Sequence, residues 1–591
     1  MSAPYRRRVG RALRSSDSFR FEPLDGSAAR PLSADAEVPS GAVVEVQDTE
    51  APPQVHLLRV LAGPGTARAR LYQILDRYRI DPCFEPEVHA EVQDFLRNPG
   101  LDDPGLRDLR PQAFITIDNE GSRDLDQAMF IERTGSGYRV YYALADTSYY
   151  VRPGSALYSA AMQRGVTLYL PSMAVPMLPE EFSEGLVSLN EGVPRRALTM
   201  IMTLDAEGVC TQTEIQRTKI QSRRKLTYEG VQAYHDAPDG HPLAGQDFTE
   251  TLQLLKEVGE LRIRQAEAKD VVRIHRLEVR HALSDADPKK FETYARARND
   301  VERWNEQISL LCNSEGAKIM KGSGAADYVT PIFRIHPEPM GRRLEAFRET
   351  VEAAVQAHGV DPQLWVWHRD QSLADYLSGL PQGTEHGGLY AAIQRQAVMV
   401  NSASEFSVTA GKHHGVGVDP YARFSSPMRE MVGVYTHKEA LEKMGQLEPR
   451  FWPSDDPREN QAQVVDLANR TRKLQRQIEK EADRWVLDQH LQDDLHKPEE
   501  QRTQWQGTIM GLTPTKVYIQ MRSPPFDVKL YLKDLSEGVS ADLKLDKRGA
   551  VAKSSDPGRL PDLRLGDSIR LRLQRYDDPR RRYIFRPAHN S

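Results

Sequence analysis

The chain has 591 residues, 39% of them hydrophobic and 28% charged, with a formal net charge of −5 and a mean hydropathy of −0.58. That length supports several domains with sizeable cores, and no apolar run approaches a membrane-spanning length. Three widely spaced cysteines, Cys83, Cys210 and Cys312, exclude a disulfide framework and point to a reducing, cytoplasmic compartment.

Residues 1–15 are rich in arginine and read as a basic tail; the alternative is an organelle import segment. Residues 16–65 alternate short β-prone runs (SFRFEP, AVVEVQD, QVHLLRVL) with Gly/Pro/Ser turns. They predict a small β-barrel, with a winged helix as the alternative because TARARLYQILDRYRI follows directly. Residues 66–112 predict a helical connector. From 113 to 440 strand runs mix with long helical stretches such as 293–320 and 386–403, and 441–500 predicts closing helices and a charged linker. In 503–588, WQGTIMGLTPTKVYIQM, VKLYLKDL and DSIRLRLQRYDDPRRRYIF alternate apolar and polar residues, as in a second barrel. The stretch 544–561 predicts a mobile basic loop.

The charge is segregated. Residues 501–591 hold 18 Lys and Arg against 10 Asp and Glu, so the preceding 500 carry an acidic excess of 13. Tyr518, Tyr531, Tyr576 and Tyr583 are interleaved with those cations, a pattern suited to single-stranded nucleic acid.

The most informative segment is FITIDNEGSRDLDQAMFI, residues 114–131. Two apolar strands flank a turn carrying Asp118, Asp124 and Asp126. Asp124 and Asp126, two apart, share a face of an extended chain, while Gln127 points the other way unless the backbone kinks. These three aspartates, within nine residues, repel one another, and a divalent cation resolves that repulsion; a solvated acidic turn is the alternative. Mg²⁺ takes a few carboxylates plus water and substrate phosphate, and two such ions clamp both oxygens of a phosphodiester displacement.

This segment resembles the catalytic signature of the ribonuclease II / ribonuclease R family of exoribonucleases. Further blocks resemble that family in its order: RDLRPQAFITID (107–118), YYALADTSYYV (141–151) with Asp146, TLYLPSMAVPMLPEEFSEGLVSL (167–189), SRRKLTYEGV (222–231), HHGVGVDPYARFSSPMRE (413–430) and RKLQRQIEKEADRW (472–485). The resemblance implies a multidomain α+β protein. In it, a mixed α/β RNB-type catalytic domain is flanked by a cold-shock-like OB barrel at 16–65 and a ribosomal-type OB barrel at 503–588. It implies processive 3′→5′ hydrolysis of single-stranded RNA to nucleoside 5′-monophosphates. It places Asp118, Asp124, Asp126 and Gln127 at metal positions, with Mg²⁺ or alternatively Mn²⁺ as cofactor, and puts Arg429 on the scissile phosphate. Tyr169, Tyr228 and Glu479 fall at RNA-contacting positions. Single-stranded RNA is the implied partner; no membrane is indicated and no protein partner is inferable.

The chain departs from the family at Gln127, where an aspartate is usual, and after Arg429, where Glu430, Met431 and Gly433 replace a basic residue, a tyrosine and an aspartate. The second aromatic of the family's base clamp is not visible; Arg273 or His275 stand in that region. The alternative function is therefore a catalytically impaired RNA-binding or regulatory member of the same family.

Overall fold

The computed structural model describes residues 5–588 except 16–17, 35–36, 51–52, 270, 273–277, 323–328, 384, 447–455 and 538. Arg273 and His275 therefore lie outside the described residues.

Five strands close a barrel in the spatial order Arg7–Ser15, Ser18–Pro23, Arg30–Ser33, Val55–Ala62, Ala42–Asp48. A closed barrel, and not a winged helix, occupies this end. The reading of residues 1–15 as a basic tail is corrected, because 7–15 form the first strand, paired on both sides. The arginines conceal it. Val9 and Ala12 point into the core while Arg8 and Arg11 turn their charges to Asp25 (3.4 Å) and Glu22 (3.3 Å). Gly10 in the middle is required, since a Cβ there would lie 2.2 Å from the Glu22 carbonyl oxygen.

Helices Ala67–Arg77 and Pro86–Arg97 follow. The first starts at Thr66, whose hydroxyl accepts from Ala69 N, and buries Leu71, Ile74 and Leu75 against Ile478, Ala482 and Val486 of a later helix.

The centre is a seven-stranded sheet. Its spatial order is Arg224–Thr227, Ile115–Asp118, Gln127–Thr134, Gly137–Ala145, Pro194–Asp205, Cys210–Gln221 and Arg107–Asp108. Both faces are covered, so its middle strands are apolar without alternation. Helices Thr249–Glu267 and Asp300–Lys321 pack on one face, and Pro86–Arg97 and Ala156–Arg164 on the other. Asp146 is fully buried at the end of Gly137–Ala145, 3.4 Å from Arg196 Nε and 3.2 Å from Arg217 Nε. Its charge is thus spent inside the fold.

Helices Gly341–His358, Leu373–Gly379 and Gly387–Val400 form a lobe with a core of its own. The expected mobile loop at 544–561 is corrected here. Leu543–Leu545, Val551–Ser554 and Leu563–Arg564 make a three-stranded sheet. Ala550, Val551 and Leu565 enter the lobe's core, and the Arg548 carbonyl accepts from Thr350 Oγ1 at 2.7 Å. The expected closing helices are one 39-residue helix, Pro457–Leu495. The last sheet, in the order Pro525–Tyr531, Lys516–Arg522, Gln504–Leu512, Ser568–Asp577, Arg582–Pro587, docks on that helix. Two of the four interleaved tyrosines serve this junction: Tyr583 Oη donates to Asp488 (2.7 Å), and Arg484 donates to Tyr576 Oη (3.3 Å). Among the described residues no helix is long and apolar enough to cross a membrane.

Candidate active site

Asp118 ends one central strand and Gln127 begins the next, so the intervening turn hangs at the edge of the sheet with Asp124 and Asp126 on its return. Asp118 Oδ1 accepts from Asn119 N (2.7 Å) and Ser122 Oγ (2.8 Å), which fixes the turn. Asp126 is only 2% exposed. Its Oδ1 accepts from Met428 N at 3.0 Å, and its Oδ2 lies 2.5 Å from Arg429 Nε, without a well-aligned hydrogen bond.

The loop that brings Arg429 is built from a distance. Asn313, buried in the helix Asp300–Lys321, accepts from Phe424 N (2.7 Å) and Ser425 N (3.1 Å) and donates to Tyr421 Oη and Ser425 Oγ. The Arg429 carbonyl accepts from Thr167 N at 2.9 Å, two residues before Tyr169. Tyr169 is 45% exposed on the short strand Leu168–Leu170. Burial of its inner side raises the phenol pKa, and the adjacent Arg429 guanidinium opposes that shift.

Gln475 clamps the Tyr169 backbone from the long helix, its Oε1 accepting from Tyr169 N (2.9 Å) and its Nε2 donating to Tyr169 O (3.0 Å). The same amide donates to Glu479 at 2.8 Å, so Glu479 stands exposed one turn beyond the Tyr169 strand. Tyr228 begins the helix Tyr228–Asp236, accepts from Asn305 Nδ2 at 3.0 Å, and has its phenol pKa pushed up to about 12 by burial.

Asp118, Asp126, Gln127, Tyr228 and Arg429 line one cavity of about 320 Å³. Asp124 acts on Asp126 from outside that lining, Tyr169 adjoins Arg429, and Glu479 is linked to the Tyr169 strand through Gln475.

Electrostatics follow from burial. Desolvation pushes the Asp126 carboxyl up to about 6 despite the Arg429 charge, and raises Asp124 as well. Arg429 is held charged, chiefly by Asp126.

Gln127 departs from the expected fourth ligand. Its Oε1 accepts from the Tyr142 hydroxyl and from Ser309 Oγ (3.3 Å), and its Nε2 donates to the Ser425 carbonyl. The amide closes the floor of the site and leaves no lone oxygen aimed at the carboxylates. Consistent with this, no group of three or more His, Cys, Asp or Glu among the described residues converges on one point. A metal seated here would take only part of its shell from carboxylates, leaving the remainder to water and phosphate, as is usual for Mg²⁺.

Glu430 does not oppose Arg429, because Arg423 takes its charge at 3.1 Å. Gly433 is explained by packing, since a Cβ there would meet Pro427 Cα at 3.0 Å and Ser426 O at 3.1 Å. Arg298, Arg334, Arg423 and Asn313 line an adjoining cavity that sequence reading did not anticipate. A polar Asn313 directly after the apolar run Leu310–Cys312 of a helix was the available signal.

The RNB domain profile matches residues 106–440, more than half of the chain. The chain belongs to the ribonuclease II / ribonuclease R family of RNB-domain proteins. It is 24% identical over 559 residues to "Ribonuclease R" of Vibrio cholerae, covering 92% of this chain and 65% of that one. It is 27% identical over 396 residues to "Exoribonuclease 2" of Serratia proteamaculans, covering 65% and 57%. The chain spans 54–65% of the length of the Vibrio relatives it matches. Among solved structures, Mycoplasma genitalium RNase R in complex with ribose-methylated single-stranded RNA superposes with a TM-score of 0.75 at 18% identity, covering 99% of this chain and 90% of that one. Yeast Ssd1, a pseudonuclease, gives a TM-score of 0.59 at 13% identity, covering 93% and 67%. These likenesses bear out the expected fold class, an RNB-type domain flanked by β-barrels.

Proposed function

We propose that this RNB-domain chain is a divalent-metal-dependent 3′→5′ exoribonuclease that hydrolyses single-stranded RNA to nucleoside 5′-monophosphates. One observation carries the reading: Asp126, buried and paired with Arg429 at 2.5 Å, sits in a polar cavity beside an exposed tyrosine. A structural ion pair needs neither the cavity nor the two neighbouring carboxylates.

Asp118, Asp124 and Asp126 are the carboxylates that would hold divalent metal, Mg²⁺ or Mn²⁺, with water and phosphate completing its shell. When bound, the ions supply charge stabilisation for the phosphodiester and an activated water. The chain's own residues do the remaining work. Arg429 offers a planar fork that matches phosphate oxygens and neutralises developing charge. Tyr169 presents a face for base stacking, which is blind to sequence. Tyr228, held by Asn305, bounds the same cavity with a protonated phenol. Glu479 stands at the edge of the Tyr169 strand, in position to meet a ribose hydroxyl.

The test is incubation of the chain with 3′-labelled single-stranded RNA in Mg²⁺ or Mn²⁺. Labelled mononucleotide is expected, and Asp126→Asn is expected to lower its rate by at least ~10²-fold, as when one preorganised electrostatic group is lost, with RNA binding retained. No mononucleotide in either ion overturns the reading. A second reading, an RNA-binding protein without hydrolysis, is favoured by the engaged amide of Gln127; RNA binding with no release in both ions would establish it.

A further inference from the structure

The strands Leu168–Leu170 and Met173–Val175 form a sheet of only two strands, with Tyr169 opposite Ala174. Two strands alone are marginal in water. Packing holds this pair in place: Leu168, Leu170 and Val175 sink into a core shared with Ile478 and Ala482 of the helix Pro457–Leu495. Alternation along the strand then turns Tyr169 outward. Two further ties fix the ends of the hairpin. Leu283 N donates to Ser172 Oγ at the turn (3.0 Å), and Thr167 N donates to the Arg429 carbonyl (2.9 Å).

On the open edge of the strand, the backbone of Tyr169 has a partner of its own. An edge strand leaves its N–H and C=O groups unpaired, and here Gln475 takes both. Its Oε1 accepts from Tyr169 N at 2.9 Å and its Nε2 donates to Tyr169 O at 3.0 Å. A third bond, from Nε2 to Glu479 one turn along at 2.8 Å, fixes which end of the amide is which, because a reversed amide would set its oxygen against two acceptors. One side chain thus does for a single residue what a third strand would do for a row of them. Bonds on either side of one Cα fix the tilt of the strand there, and with it the direction in which the ring leaves the backbone.

We propose that Gln475 is a positioning residue for RNA binding, its amide holding the Tyr169 ring in a stacking position beside Arg429. The inference rests on the reading of Tyr169 as a base-stacking surface. The hairpin does not need this clamp in order to stay docked, since its buried leucines and Val175 anchor it. Two of the three bonds go to the one residue of the strand whose side chain is exposed. A ring whose direction is fixed in advance loses less freedom when a base stacks on it, and that raises affinity.

The test is a double-mutant cycle on the full chain. Equilibrium binding of a labelled single-stranded RNA oligonucleotide is measured without divalent metal, so that hydrolysis plays no part. Tyr169→Ala removes the ring and keeps the backbone that Gln475 grips; it is expected to weaken binding by about tenfold, the scale of one lost base–aromatic stack. Gln475→Met has a similar length and no amide. It is expected to weaken binding by about threefold or more in the unsubstituted chain, and by less than about twofold where Tyr169 is already alanine. Gln475→Ala serves as a second variant, and thermal melting is followed for each. A loss of equal size in both backgrounds would overturn the inference, because the amide would then act through something other than the ring. Unchanged affinity in both Gln475 variants would overturn it and leave the exonuclease reading standing. Unfolding of both variants would assign the clamp to stability and overturn it as well. If Tyr169→Ala binds RNA as tightly as the unsubstituted chain, the stacking role fails and this inference with it, while the cleavage assay above still decides the exonuclease reading.

Discussion

Asp126 and Gln127 are neighbours in sequence with opposite fates. The carboxylate turns to Arg429 and the cavity, and the amide turns to Tyr142, Ser309 and Ser425. The first fate was legible, because two residues apart on one strand edge share a face and the motif blocks supplied Arg429. The second was not. The partners of Gln127 stand 15, 182 and 298 residues away, and no local pattern reports them. This pairing makes a prediction about Gln127→Asp. The Ser425 carbonyl loses its donor and faces a carboxylate instead, which costs about 1–3 kcal/mol, the penalty of an unsatisfied buried polar group. Denaturant unfolding in metal-free buffer measures it, and an equal or higher midpoint would refute the bridging role. The Asp126 carboxyl, held up to about 6 by burial, makes a second prediction. Protons compete with metal for this oxygen, so at limiting metal the cleavage rate falls below pH 6, by about tenfold per unit for a single deprotonation, and is flat above pH 7. A rate–pH profile at two metal concentrations reads this directly: saturating metal must move the fall to lower pH.

At the scale of elements, the short loop 423–430 decides the geometry, and it is shaped by a helix on each side. Asn313 organises it from within the helix Asp300–Lys321, and Gly433 lets the helix Met431–Lys443 start against Pro427 and Ser426. In sequence Gly433 reads as the loss of a family aspartate; in the fold it is a close contact, where a Cβ would press on the backbone of Ser426 and Pro427 at 3.0–3.2 Å. Gly433→Ala is therefore expected to destabilise the chain by about 1–3 kcal/mol through overpacking, and to lower activity by shifting Arg429, although no ligand is altered. Thermal melting and RNA cleavage check the two parts. Full activity in the alanine variant would show that the loop yields without moving Arg429. The same scale explains which elements escaped sequence reading. Arg7–Ser15 was hidden because its arginines outnumber its buried side chains. The sheet at 543–564 was hidden because its apolar residues Ala550, Val551 and Leu565 have meaning only against the helical lobe. Where alternation was complete, as in Lys516–Arg522 and Pro525–Tyr531, strand and face were both legible.

For the whole molecule, charge is the property that composition alone conceals. A chain of net charge −5 carries an excess of eight cations in residues 501–591. Part of that excess is paired with carboxylates of the same module. Arg575 and Arg582 are tied to Glu537 and Asp534, and Arg484 of the long helix reaches Tyr576. Other cations alternate outward from the barrel while Phe526, Val528 and Leu530 fill its core, and among these Arg522, Lys529 and Lys533 are exposed. Exposed cations bind single-stranded RNA by releasing its counterions, and each phosphate contact adds about 0.7 to the slope of log affinity against log salt. Replacing Arg522, Lys529 and Lys533 together by serine is expected to reduce that slope by up to about 2 if all three meet phosphate. The replaced side chains lie outside the core, so stability is expected to hold. Because the barrel is remote in sequence from the Asp118–Asp126 turn, the rate of a single cleavage at saturating RNA is expected to stay unchanged. Fluorescence titration with a labelled oligonucleotide at several salt concentrations gives the slope. An unchanged slope would mean that the module's charge faces away from RNA and that its role is to brace the long helix through Asp488 and Tyr583.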